Sequence, residues 1–310
     1  MIFTVTLNPA IDCAVGVENY TEGRVNRADY QRVTAGGKGI NISEMLNRLG
    51  VKTLAKGFCG GETGELLCRL LDRSGCPHSM TFIEGQLTRI NMKLKSGDCE
   101  TEVNGRGTEI SADILKKFTD SLCAEAKDGD TVVLAGSIPP SVPFTAYADI
   151  IRRFQGRNVR IAVDTSGRSL SEVLPLHPFL VKPNNYELGE ILSTEISTRT
   201  EALEGAEKLQ EMGAENVLVS LAGDGAVLLT SDGKKFETDA PKGTVRNSVG
   251  AGDSMLAGFL AGLEKTGDFR KALLLGTACG SATAFSDGLA ELSEISEICK
   301  NIPEMKNSLF

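Results

Sequence analysis

The chain has 310 residues, 41% of them hydrophobic and 24% charged, which suits one large α/β domain. Its net charge of −8, with no run of lysine or arginine, disfavours binding to nucleic acid or to a membrane surface. Eight scattered cysteines without a C-x-x-C pair, and only two histidines, argue against a zinc site or a disulfide framework. We therefore expect reduced thiols and a cytoplasmic protein, and no apolar run is long enough to span a membrane.

Short apolar runs alternate with helical patterns along most of the chain. The predicted helices carry apolar stripes at 42–49, 66–71 and 114–122. The predicted strands cover 2–7, 132–134, 161–163, 179–181 and 217–219. This alternation predicts an α/β fold, in which a mainly parallel sheet is covered by helices on both faces.

Two inserted segments interrupt the alternation and predict a small β-sheet lid within a single domain spanning 1–310. The first, about 12–34, alternates polar and apolar residues without a helical pattern. The second, about 87–107, contains a hairpin that turns at Ser96-Gly97-Asp98. Such a lid would close on a bound ligand and exclude water. Two separate surface hairpins are the alternative.

The segment Ser248-Val249-Gly250-Ala251-Gly252-Asp253 precedes an apolar run that is typical of a helix. Glycine-rich backbone at a helix N-terminus offers N–H groups and the positive end of the helix dipole to an anion. A carboxylate there repels a resting phosphate, but Asp253 suits a base that deprotonates a hydroxyl attacking a phosphoryl group. A glycine-rich turn with an acidic N-cap is the alternative. A dinucleotide-binding turn fits poorly, because Met255 replaces the third glycine of G-x-G-x-x-G.

Two further polar clusters are predicted at carboxyl ends of strands, where open α/β sheets bind ligands. In 35–41, glycines allow a ligand to approach the backbone, and Lys38 and Asn41 can contact hydroxyls or a phosphate. In 182–187, Asn184 and Glu187 would lie at a helix N-terminus, where the carboxylate could hold water on Mg²⁺. A capping pair formed by these two side chains is the alternative.

In their order and separation, these motifs resemble those of the ribokinase-like carbohydrate kinases, in the phosphofructokinase-B branch. The resemblance runs from Thr6-Leu7-Asn8-Pro9-Ala10-Ile11-Asp12 to Thr283-Ala284-Phe285-Ser286, and the two family signatures match 35–41 with the following helix and 247–253. It implies a ribokinase-like fold and a kinase that uses Mg-ATP. Similarity is greatest to the 1-phosphofructokinase group, which implies phosphorylation of fructose 1-phosphate at the C6 hydroxyl, giving fructose 1,6-bisphosphate and ADP. Kinases of tagatose 6-phosphate or fructose 6-phosphate are alternatives, and a non-catalytic sugar-phosphate sensor is a remote one.

The resemblance also implies a role for each matching residue. Asp253 is similar to the catalytic base, and the backbone N–H groups of Gly250, Ala251 and Gly252 are similar to the anion hole. The implied substrate contacts are Asp12, Gly37, Lys38, Asn41, Arg89 and Ser137. The implied contacts to ATP are Lys182, Asn184, Glu187, Ser220, Gly223, Gly225 and Ser248, with Glu187 reaching Mg²⁺ through water.

One lid strand carries two further expectations. Arg89 suits a phosphate that the sugar already carries, because a guanidinium can hold it by two parallel hydrogen bonds. Ile90, Met92 and Leu94 alternate along the same strand and would give the lid an apolar face. A second copy of the chain could cover that face, so a homodimer through the lid is a further hypothesis.

Overall fold

The computed structural model describes residues 1–97 and 99–305, so Asp98 of the predicted turn lies outside the described residues. The strands are β1 (Ile2–Thr6), β2 (Ala10–Gly16), β3 (Tyr30–Gly36), β4 (Thr53–Cys59), β5 (His78–Phe82), β6 (Arg89–Ser96), β7 (Cys99–Asn104), β8 (Thr131–Ala135), β9 (Arg160–Asp164), β10 (Leu180–Val181), β11 (Asn216–Ser220), β12 (Ala226–Leu229) and β13 (Lys235–Thr238). The helices are α1 (Lys38–Arg48), α2 (Gly61–Arg73), α3 (Ala112–Glu125), α4 (Ala146–Arg152), α5 (Gly167–Val173), α6 (Asn185–Leu192), α7 (Arg199–Glu211), α8 (Ala251–Thr266), α9 (Phe269–Phe285) and α10 (Leu292–Lys300).

The main sheet has nine strands in the order β13-β12-β11-β10-β9-β8-β1-β4-β5. Neighbours from β11 to β5 pair in parallel, while β12 and β13 are antiparallel. The central strands are mostly apolar because each of their two faces packs into a core. Along β8, Val132 and Leu134 pack into one core, whereas Val133 and Ala135 pack into the core on the opposite face. The predicted α/β architecture is confirmed.

The lid is a separate sheet of four strands in the order β3-β2-β6-β7. The two inserted segments pair with each other, because β2 runs parallel to β6, with Asp12 opposite Asn91. The alternative of two separate surface hairpins is therefore wrong. Side chains on β6 alternate between faces. Asn91 is buried toward the body of the protein, whereas Ile90 and Met92 on the other face are each 50% exposed.

Helix α8 fixes the position of the glycine turn that precedes it. Residues from Asp253 to Leu263 are all buried, and the helix packs along most of its length against α9. A helix that is buried on all sides cannot shift without disturbing the core, so the turn at its N-terminus is rigidly placed. Among the described residues, no helix is both long and apolar enough to cross a membrane.

Candidate active site

The glycine turn places Asp253 inside the first turn of α8. Gly250 is the N-cap and has a left-handed backbone with φ 80°, and a Cβ there would lie 2.8 Å from Cδ2 of Leu289. The carboxylate of Asp253 is 6% exposed and accepts a hydrogen bond from Nδ2 of Asn41 at 2.7 Å. The acidic N-cap alternative is therefore wrong, because Gly250 occupies the cap and the partner of Asp253 lies on α1.

The N-terminus of α8 also meets a lysine ammonium group. A Cβ on Gly252 would lie 3.3 Å from Nζ of Lys182, which belongs to the loop after β10. The N–H of Ala251 donates to the carbonyl of Ser248 at 3.2 Å, so in this structure it closes the turn. The N–H groups of a first helical turn lack partners within the helix. Helix dipole and ammonium group thus present positive charge at one point.

Asp164, the last residue of β9, is fully buried and joins two lysines. Its Oδ1 lies 2.7 Å from Nζ of Lys38, and its Oδ2 lies 3.0 Å from Nζ of Lys182. Asp164 was not among the residues predicted from the sequence. It could have been found, because Asp164 directly follows the predicted strand 161–163. The polar cluster 182–187 was chosen for the same kind of position, after the carboxyl end of a strand.

The charges in this cluster alter the pKa values of its members. Burial, followed by the charge of Asp164, raises the pKa of Asp253 to about 6. Burial alone would lower the pKa of Lys38, but the carboxylates of Asp164, Glu187 and Asp253 outweigh it, so the pKa is raised above its ordinary value. Asp253 is therefore ionised at neutral pH and is a stronger base than an ordinary aspartate, as general-base catalysis requires.

Asn184 and Glu187 form the capping pair that we gave as the alternative. Oδ1 of Asn184 accepts from the N–H of Glu187 at 2.8 Å, and Oε2 of Glu187 accepts from the N–H of Asn184 at 2.9 Å. The other carboxylate oxygen, Oε1, lies 3.7 Å from Nζ of Lys38. The cap therefore uses one oxygen of Glu187 and leaves the second beside the lysines of the site.

The turn after β11 lies next to this cap. Ser220 ends β11, forms a parallel bridge with Asn184 and donates its N–H to the carbonyl of Pro183 at 3.1 Å. Gly223 and Gly225 belong to the tight turn that follows. Ala222 in this turn has φ 48°, a left-handed backbone that is costly for a residue other than glycine.

Of the sugar-binding candidates, Asp12 and Asn41 line a cavity of about 830 Å³ between the lid and the body. From the lid, Asp12 accepts a hydrogen bond on Oδ1 from Nδ2 of Asn91 at 2.9 Å, and its Oδ2 lies 3.3 Å from Nζ of Lys93. From the body, Gly37 is the N-cap of α1 with φ 123°, and Asn41 follows one turn later. Because Asn41 also binds Asp253, it connects the sugar-binding side to the base.

Arg89 and Ser137 both contact Asn8, a residue for which the sequence predicted no role. Nε and Nη2 of Arg89 donate to the carbonyl of Asn8 at 3.2 and 2.8 Å, and Nη1 donates to the carbonyl of Gly105 at 3.3 Å. A guanidinium has five N–H groups, so one remains on each terminal nitrogen for a phosphate. Nδ2 of Asn8 donates to Oγ of Ser137 at 3.4 Å, so Asn8 contacts both of these candidates.

A divalent metal fits the site only in company with a nucleotide. Among the described residues, no three acidic, histidine or cysteine side chains are grouped so as to hold a metal ion. The available donors are Oε1 of Glu187 and the carboxylate of Asp164, and both face lysines. Mg²⁺ commonly keeps several waters and takes one or two carboxylates together with substrate phosphates. The donor set suits such a water-mediated arrangement, not an all-protein cage.

Comparison with known proteins identifies the family. Residues 5–295 match the pfkB family of carbohydrate kinases. This chain is a pfkB family carbohydrate kinase. It is 45% identical to the 1-phosphofructokinase of Bacillus subtilis (strain 168) across 99% of both chains, and 32% identical to the D-tagatose-1-phosphate kinase of Bacillus licheniformis across 97% of this chain and 98% of the relative. The crystal structure of phosphofructokinase-2 from Escherichia coli in complex with substrates and products is 27% identical and superposes with a TM-score of 0.90, covering 96% of this chain and 97% of that chain.

Membership of this family fixes the class of reaction. The kinase is a phosphotransferase that uses ATP and acts on a sugar hydroxyl, and the ribokinase-like resemblance is confirmed. The dinucleotide-binding interpretation of the glycine turn is wrong.

Proposed function

We propose that this kinase transfers the γ-phosphoryl group of ATP to the C6 hydroxyl of fructose 1-phosphate, giving fructose 1,6-bisphosphate and ADP. The observation that carries the proposal is the buried carboxylate of Asp253, which has a raised pKa and lies at a helix N-terminus beside two lysines. The full-length likeness to a 1-phosphofructokinase supports the choice of substrate.

Asp253 removes the proton of the C6 hydroxyl while that oxygen attacks the γ-phosphorus in line with the departing ADP oxygen. Asn41 orients the carboxylate through its 2.7 Å hydrogen bond. Negative charge develops on the transferred group and on the ADP oxygen, where the N-terminus of α8 and Lys182 oppose it. The backbone N–H groups of Gly250 and Gly252 form the anion hole, while the N–H of Ala251 donates to the carbonyl of Ser248 and holds the turn closed.

We further propose that the remaining residues divide between two substrates. Asp12, Gly37 and Lys38 contact the sugar, while Arg89 and Ser137 bind its 1-phosphate. ATP lies along the other set, which comprises Lys182, Asn184, Glu187, Ser220, Gly223 and Gly225. We propose Mg²⁺ as the divalent ion, held through water by Glu187; when bound, it neutralises and orients the phosphates.

A second candidate substrate is D-tagatose 1-phosphate, because a kinase of that sugar is 32% identical over nearly the whole chain. The two sugars differ only in configuration at C4, and both present a C6 hydroxyl. Release of ADP, measured with Mg-ATP and each phosphosugar in turn, distinguishes them. We expect the highest kcat/KM with fructose 1-phosphate. A higher value with tagatose 1-phosphate, tagatose 6-phosphate or fructose 6-phosphate would refute this assignment, and no ADP release with any sugar would refute the kinase mechanism.

We also propose that residues 1–310 form a single kinase domain. We further propose that the chain forms a homodimer through the outer face of the lid. Support comes from Ile90 and Met92, each 50% exposed, and from Val103 on the neighbouring strand, which is 64% exposed. Contiguous exposed apolar side chains of this kind favour a protein contact. Light scattering should give twice the chain mass, and Met92→Asp should halve it. A monomeric wild-type protein at working concentration would refute the dimer.

A further inference from the structure

We propose that Lys93 is a second ligand for the phosphate that the sugar already carries, an inference that rests on the proposed function. Lys93 lies on β6 and shares the inner face of the lid with Arg89, because strand residues an even number apart point to the same side. Its side chain is only 13% exposed, and it lines the cavity between the lid and the body.

The register of the lid places both cations around Asp12. Asp12 pairs with Asn91, which is midway along β6 between Arg89 and Lys93. The two cationic residues are about 13 Å apart along the strand, a span that two long side chains can close from opposite ends. The phosphate of a sugar whose hydroxyls bind Asp12 therefore lies within reach of both cations.

Arg89 alone is poorly matched to the charge of the phosphate. A phosphate monoester carries a charge of about −2 at neutral pH, whereas one guanidinium supplies a single positive charge. Three of the five N–H groups of Arg89 already donate to backbone carbonyls. The carboxylates of Asp12 and Glu102 add further negative charge to the lid. A second cation beside the phosphate is therefore needed to offset the total negative charge.

The contacts of Lys93 leave its ammonium group available to move. Nζ lies 3.3 Å from Oδ2 of Asp12 and 3.8 Å from Oε1 of Glu102. Both distances exceed the 2.7 Å that Nζ of Lys38 makes with Asp164. When sugar hydroxyls donate to Asp12, they weaken its hold on Lys93, and the flexible stem allows Nζ to turn toward the phosphate.

The test compares Lys93→Met with wild type at saturating Mg-ATP. We expect the KM for fructose 1-phosphate to rise about tenfold, while kcat and the KM for ATP change less than threefold. Lys93→Arg should recover most of the affinity. Lys234→Met removes an exposed lysine whose Nζ is 2.7 Å from Asp232 on a distant hairpin, so it should leave every constant unchanged. A KM within twofold of wild type for Lys93→Met would overturn the proposal.

Glu102→Gln gives an independent measurement that a purely structural role of Lys93 does not explain. Removing this carboxylate releases Lys93, so the KM for the phosphosugar should fall two- to threefold, and the effect should vanish in a Lys93→Met background. An increased KM would overturn the proposal. If wild type prefers another phosphosugar, the same ratios are measured with that sugar, so failure of the substrate assignment and failure of the Lys93 role are distinguishable.

Discussion

Replacing Asp253 by asparagine tests the base directly, because the substitution keeps the shape of the side chain and removes its ability to take a proton. The amide oxygen of the variant can still accept the hydrogen bond that Asn41 donates at 2.7 Å. General-base catalysis contributes about 10²- to 10⁴-fold, so we expect kcat to fall by that factor. The affinity for ATP, measured by calorimetry, should be unchanged.

The pH dependence of kcat gives a second measurement on the same residue. With a pKa of about 6, Asp253 becomes protonated below that pH, and wild-type kcat should fall about tenfold for each further pH unit. This fall in kcat at low pH should be absent from the residual activity of Asp253→Asn. The phosphosugar also titrates near pH 6, so kcat is measured at saturating phosphosugar, where weaker binding of the monoanion does not contribute.

The same raised pKa predicts that removing the charge of Asp253 stabilises the folded protein. The pKa of Asp253 is about 6 in the folded protein against an ordinary value of 3.8, so the folded state binds the proton more tightly. Stability from this group is complete below pH 3.8 and is lost as the pH rises through 6. A difference of about two pKa units corresponds to ~3 kcal/mol of cost for the buried, ionised carboxylate.

Asp253→Asn should therefore unfold at higher urea concentration than wild type at pH 8, with a gain that approaches ~3 kcal/mol and disappears toward pH 4. Asp268→Asn is the matched control, because Asp268 caps α9 by accepting from the N–H groups of Arg270 and Lys271, and asparagine caps a helix equally well. A variant with kcat within tenfold of wild type, or one that is less stable at pH 8, would refute the reasoning.

Three further substitutions test other parts of the site. Asp164→Asn leaves Lys38 and Lys182 without their shared buried anion and should lower the free energy of unfolding by about 3–5 kcal/mol in urea denaturation; unchanged stability would contradict the ion-pair network. Gly37→Ala places a side chain at φ 123° and should cost about 1–3 kcal/mol together with a higher KM for the sugar, and normal values for both would show that the backbone adapts. Arg89→Met should raise the KM for the phosphosugar by about 10- to 100-fold through loss of charged hydrogen bonds, whereas an equal rise for ATP would argue against a phosphosugar contact.

Most strands of the main sheet could be predicted from the sequence, because a strand that is buried on both faces is a continuous apolar run. Val132-Val133-Leu134 is such a run, and its members alternate between the two cores. The antiparallel edge was not predicted. Residues Lys235–Thr238 of β13 are exposed or half-buried and carry no apolar run, since an edge strand shares little of the core. The sequence also did not predict which strands of the lid pair with each other, because β2 and β6 are far apart in the chain and pair only in the folded protein.

Within the candidate site, a local motif was enough to predict the turn at Gly250 and the helix start at Asp253. Residues whose function depends on long-range contacts were missed. Lys93 belongs to no motif, and it was recognised as a candidate because its ammonium group lies near the carboxylate of Asp12 in the folded protein. Asn8 was quoted as part of a motif without a role, because its contacts to Arg89 and Ser137 join segments that are remote in sequence.

Asp164 shows why such a residue matters for the chemistry as well as for folding. The side chain of Lys182 is only 4% exposed and that of Lys38 is 35% exposed, and Asp164, which contacts both, supplies the anion that compensates their charge. Its charge also raises the pKa of the neighbouring Asp253, which strengthens the base. In the proposed mechanism, one buried carboxylate therefore keeps the cations in place for the transferred phosphoryl group and raises the proton affinity of the group that activates the hydroxyl. For this reason Asp164→Asn should lower the pKa that governs kcat as well as the stability, an outcome that loss of packing alone would not produce.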